Sequence, residues 1–197
     1  MENILKHYFK NSDDIRIKPI TSGWINSTFE LDNQGKKYIL QKINTNVFLR
    51  PEIISSNINL ISTHLKTKNY PRSIIESVPD LHQNLLVIEN GETWRLSSYI
   101  SNSICFEKVE SAEQAYEAAK TISEFHANRI DINIDEIEPS IDGCLDYEKR
   151  IKDFNSALEN ASEEHLQETK NEVNYILDNL YQVKRYLEID FPKRVVH

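Results

Sequence analysis

Asn33-Gln34-Gly35-Lys36 and then Lys37-Tyr38-Ile39-Leu40-Gln41-Lys42-Ile43 read as a Gly-containing turn followed by a strand. Upstream, Ile15 to Pro19 alternates apolar and charged residues, as a half-buried strand does. Thr21 to Leu31 starts small and polar around Gly23 and ends in the same alternation. Three strands joined by Gly-bearing turns make an antiparallel meander. Downstream, Pro51 can open a helix and Glu52 suits its first turn. Ile53, Ile54, Asn57, Ile58, Leu60, Ile61 and Leu65 then recur at helical spacing. Leu85 to Glu89, the turn Asn90-Gly91, and Thr93 to Ile100 form a hairpin. The expectation over residues 12–104 is a sheet of about five antiparallel strands with one helix, about 51 to 66, after the third. A short amphipathic helix over Glu2–Lys10 precedes it, with Ile4, Leu5, Tyr8 and Phe9 on one face.

The second half reads as helices. Ser111-Ala112-Glu113-Gln114 resembles a capping box and opens a run to Arg129. Pro139 and Gly143 break an irregular stretch. Helices follow over Leu145–Leu158 and Ser162–Glu188. The chain has 197 residues and a net charge of −8. Residues 1–106 carry 12 basic and 10 acidic side chains, residues 107–197 carry 11 and 21. Nucleic-acid binding is not expected, because phosphate contacts need clustered Lys and Arg. No run approaches a membrane span and the N-terminus has no signal pattern, so a cytoplasmic protein is expected. Two distant cysteines, Cys105 and Cys144, read as ordinary buried thiols in a reducing compartment.

Gly23-Trp24-Ile25-Asn26-Ser27-Thr28 has the makings of a phosphate loop, because a hairpin of Gly and small hydroxyl residues lets backbone N–H groups approach phosphate oxygens. An ordinary hairpin turn has the same composition. The strand–helix order is that of a kinase small lobe. There the third strand supplies a Lys that pairs the phosphates and a Glu on the next helix. Alternation puts Ile39, Gln41 and Ile43 on one face and Tyr38, Leu40 and Lys42 on the other. The V-A-I-K pattern aligns Gln41 with the Lys slot, and Lys42 can snorkel around the edge. Ser56 and Asn57 fall where the helix Glu is expected. The chain ends Phe191-Pro192-Lys193-Arg194-Val195-Val196-His197. A short apolar strand running into His is how the catalytic loop begins in kinase-like phosphotransferases. In that reading His197 begins the loop, the catalytic Asp lies past it, no metal ligand is within the chain, and the chain as written is inactive.

The segments G-W-I-N-S-T-F, Y-I-L-Q-K-I-N-T-N-V-F, P-E-I-I-S-S-N-I, T-W-R-L-S-S-Y-I and S-A-E-Q-A-Y-E-A-A-K resemble, in order and spacing, the aminoglycoside-phosphotransferase-like superfamily. Within it they are most similar to the N-acetylhexosamine 1-kinase group. The resemblance implies an α+β fold: a kinase-like small lobe at 1–104, then the first helices of a truncated large lobe at 105–197. It implies transfer of the ATP γ-phosphate to the anomeric hydroxyl of GlcNAc or GalNAc, with magnesium in the full-length parent. Gly23, Asn26, Ser27, Thr28, Gln41 and Lys42 would then meet phosphate. Ser98, Tyr99 and Ile100 would form the hinge that reads adenine. Trp24 either stacks on a sugar face or packs into the fold. The alternatives are a kinase for a cationic small molecule, which the acidic second half suits, and a non-catalytic nucleotide-binding or interaction fragment. The apolar stripe of helix 162–188, left uncovered, would favour a homodimer.

Overall fold

The computed structural model describes every residue except Ser22, Cys105, Lys193, Val196 and His197. The expectations placed on Cys105, on the terminal Val195-Val196 strand and on His197 lie wholly or partly outside the described residues. The chain divides into two compact units, Met1–Ser140 with Arg194 and Val195, and Ile141–Lys193 without its last residue.

In the first unit, helix α1 (Glu2–Tyr8) is followed by strands β1 (Arg16–Ile20), β2 (Ser27–Asn33) and β3 (Lys36–Ile43). Helix α2 (Pro51–Thr67) comes next, then β4 (Ser77–Val78), β5 (Val87–Glu89), β6 (Glu92–Ser98) and helix α3 (Ala112–Ala127). All strand pairs are antiparallel, in the order β1-β2-β3-β6-β4, with β5 also on β6. The sheet therefore has six strands where about five were expected. The addition is β4, whose two residues are too few to show an alternation.

Both tight hairpins use the turn their residues predict. Gln34 and Gly35 join β2 to β3, and Asn90 and Gly91 join β5 to β6, with positive φ at all four. That is the two-residue turn whose twist matches a right-twisted strand pair. Pro19, which cannot donate to a ladder, sits on β1 at the sheet edge.

One sheet face is apolar and carries α1. Ile4, Leu5 and Tyr8 pack with Leu31, Leu40, Val87, Trp94 and Leu96, flanked by Phe29 and Tyr38. Leu31 and Leu40 are fully enclosed, and each such burial stabilises the fold by about 1.5–3 kcal/mol. Alternation sends Thr28, Gln41 and Arg95 to the opposite face.

Helix α3 begins at the expected cap, where Ser111 Oγ accepts from the Gln114 N–H. The second unit holds α4 (Tyr147–Asn160), α5 (Glu163–Glu168) and α6 (Lys170–Leu187). Here one long helix was expected over 162–188, and the structure breaks it at Thr169. The Thr169 hydroxyl donates to the His165 carbonyl at 2.7 Å, and the residue leaves helical geometry at φ −102° and ψ 13°. A hydroxyl bonded back one turn competes with the backbone ladder. Cys144 was expected to be buried and is exposed. Among the described residues no helix is long and apolar enough to cross a membrane.

Candidate functional site

Thr28, Gln41 and Arg95 stand directly opposite one another on β2, β3 and β6. Their side chains form one row. Gln41 Nε2 donates to Thr28 Oγ1 at 3.1 Å. Arg95 donates to Gln41 Oε1 through Nε at 3.0 Å and through Nη2 at 2.7 Å. The remaining guanidinium nitrogen, Nη1, is buried and has no hydrogen-bond partner among the described residues. Burial draws the Arg95 pKa below its ordinary value. The guanidinium stays charged all the same.

The Gly23–Thr28 segment folds back toward this row. A Cβ added at Gly23 would lie 3.5 Å from the Asn26 carbonyl oxygen and 3.9 Å from Thr28 Oγ1. Asn26 Oδ1 accepts from the Asn44 N–H at 2.9 Å, which ties the segment to the end of β3. Ser27 opens β2. Trp24 is fully exposed, so the packing alternative is overturned. Its neighbour Ile25 is also exposed, and among the described residues no apolar surface receives the indole.

Lys42 lies on the other face. Its Nζ pairs with Glu92 Oε1 at 2.9 Å and sits 6.0 Å from the Trp94 ring centre. Asn57, one of the two residues expected near a kinase's helix Glu, is bonded to Glu138. Its amide donates to the Glu138 carbonyl at 2.7 Å and accepts from the Glu138 N–H at 3.3 Å. The buried polar residues of α2 are Ser55 and Ser62, and Ser55 Oγ has no hydrogen-bond partner among the described residues.

Ser98 ends β6, about 10 Å along the strand from Arg95, and Tyr99 and Ile100 follow it outside the strand. They line a cavity of about 450 Å³ together with Tyr70 and Arg72. The Ser98 N–H donates to the Glu76 carbonyl at 2.9 Å, and Ser98 Oγ accepts from the Glu76 N–H at 2.9 Å. Ser98 is thus committed to Glu76, the residue before β4, and Ile100 offers its carbonyl to Ser103 Oγ. Ser27 and Lys42 line a separate cavity of about 280 Å³. The candidate residues fall into two groups, one around the Gly23–Thr28 segment and one at the end of β6.

Arg95 is the residue that the sequence reading passes over. The signal for it is a single Arg between Trp94 and Leu96, in a strand that pairs on both sides. Such a residue must turn its charge toward the face its neighbours avoid.

No family model matches the sequence. The fold is similar to that of spectinomycin phosphotransferase solved with ADP and spectinomycin, with a TM-score of 0.57 at 13% identity. That alignment takes in 97% of this chain and 58% of that enzyme, so the chain spans well under two thirds of its length. An aminoglycoside phosphotransferase from Alicyclobacillus acidocaldarius matches with a TM-score of 0.47 at 14% identity, over 66% of this chain and 36% of that one. A thermostable mutant of an aminoglycoside phosphotransferase, in ternary complex with AMP-PNP and hygromycin B, matches with a TM-score of 0.43 at 12% identity, over 68% and 40%. The fold is α+β and kinase-like.

Proposed function

We propose that this chain is the nucleotide-gripping portion of an ATP-dependent small-molecule phosphotransferase, with its small lobe over 1–104 and the first large-lobe helices over 105–197. The observation that carries this reading is the Thr28–Gln41–Arg95 row beneath the Gly23–Thr28 segment, in a sheet of kinase-like strand order. Gly23, Asn26, Ser27 and Thr28 cover the phosphates, while Gln41 takes the slot of the third-strand Lys. Tyr99 and Ile100 meet the adenine edge, since the Ser98 N–H is already used. The fully exposed Trp24 stands free to stack on an acceptor.

The acceptor we favour is the anomeric hydroxyl of GlcNAc or GalNAc, on the strength of the sequence resemblance. A cationic acceptor is the second reading. Its support is the excess of acidic side chains over residues 107–197 and the spectinomycin named with the similar enzyme. Magnesium accompanies ATP in such transfers. Among the described residues no group of three His, Cys, Asp or Glu side chains is placed to hold it, and no step is assigned to it. The protein is proposed to work in the cytoplasm.

Product analysis on the full-length protein decides the acceptor. A hexosamine 1-phosphate is the expected product. Turnover of choline or an aminoglycoside, but of no hexosamine, would transfer the assignment to the second reading. A homodimer through α6 is also proposed. Tyr175, Ile176, Leu177 and Tyr181 are all at least 40% exposed there, and light scattering should give twice the chain mass. A monomer at working concentration would refute it.

A further inference from the structure

We propose that Arg95 is the cation that binds the phosphate oxygens of the nucleotide, replacing the lysine that kinases carry on the third strand. The inference rests on the nucleotide reading above and adds a residue to it. Three observations lead to it. The Lys slot holds Gln41, a neutral side chain, and the adjacent Lys42 is turned to the opposite face and paired with Glu92. Arg95 is the strand neighbour directly across from Gln41, displaced by about 4.8 Å, the spacing of adjacent strands. Among the described residues no carboxylate pairs with it, and its partners are the two contacts to Gln41 Oε1.

A half-buried guanidinium with only an amide oxygen for company is an incompletely balanced charge. It is balanced by an anion, and the fork of N–H donors matches the oxygens of a phosphate. One edge of the fork is used to hold Gln41, which in turn fixes Thr28. Nη1, on the other edge, has no partner among the described residues. The Gly23–Thr28 segment approaches the same row from above, with only hydrogen at the Gly23 side-chain position. A nucleoside diphosphate or triphosphate laid beneath that segment would bring its phosphates to the guanidinium.

The test is calorimetry on the 197-residue chain with ADP, adenosine and pyrophosphate, against Arg95→Gln. Wild type should bind ADP at least about tenfold more tightly than adenosine. Arg95→Gln should erase that preference and leave adenosine binding as it was. Retention of the full ADP preference by a folded Arg95→Gln would overturn the inference while leaving the nucleotide reading intact. Pyrophosphate binding that depends on Arg95, without any binding of adenosine, would uphold the anion site and overturn the nucleotide reading instead. Binding of none of the three would overturn both. Should Arg95→Gln fail to fold, the Arg95 Nε–H resonance of labelled wild type should move on adding pyrophosphate. No movement at saturation would overturn the inference.

Discussion

Gln41 and Lys42 are neighbours in sequence and have opposite surroundings. Gln41 is held at both ends, by Thr28 and by Arg95. Lys42 makes an ion pair whose side chains are 39% and 48% exposed. Gln41→Leu roughly keeps the volume and removes both contacts, leaving the half-buried Arg95 guanidinium without its acceptor. We expect it to cost about 1–3 kcal/mol, read as a fall in the urea midpoint. Lys42→Ala removes a solvent-screened pair and should cost no more than about 1 kcal/mol. Equal losses from the two would contradict the placement of these side chains. The opposed directions of residues 41 and 42 were legible in the sequence, because strand alternation fixes them. The partner of Gln41 was not. It comes from a strand 54 residues away, and pairing register over that separation leaves no local trace.

At the scale of elements, the turns and the long hairpin were the clearest signals. Asn90-Gly91 adopts the positive-φ turn that its residues favour. Short β4 and the break at Thr169 escaped notice because each depends on one or two residues, below what periodicity resolves. The connection between β4 and β5 carries its own device. Asp80 is buried and accepts the His82 N–H at 2.8 Å, the Asn84 N–H at 2.7 Å and the Asn84 side-chain amide at 3.1 Å. Burial alone would raise its pKa, but these donors from Asn84 and His82 hold it below the usual carboxylate value. A carboxyl depressed by folding contributes stability above its unfolded pKa, and that contribution is lost as pH falls through the folded value. Wild type should therefore exceed Asp80→Asn in thermal midpoint at pH 7, with the gap closing in the acid range. A gap that is the same at pH 7 and below pH 3 would show that the charge is not what this loop uses.

At the scale of the molecule, the kinase-like order of the first unit was legible because strands, turns and the α2 pattern agree in sequence. The candidate row was only half legible: the Gly23 segment and Gln41 stand out as motifs, whereas Arg95 looks like any strand cation until the sheet is assembled. The central claim is that this sheet, with its Gly23–Thr28 segment and Arg95, binds a nucleotide. The most direct measurement is isothermal titration of ADP into the 197-residue chain. The account predicts saturable one-to-one binding that excess AMP-PNP displaces. A chain that is folded by circular dichroism and takes up no ADP at millimolar concentration would contradict it.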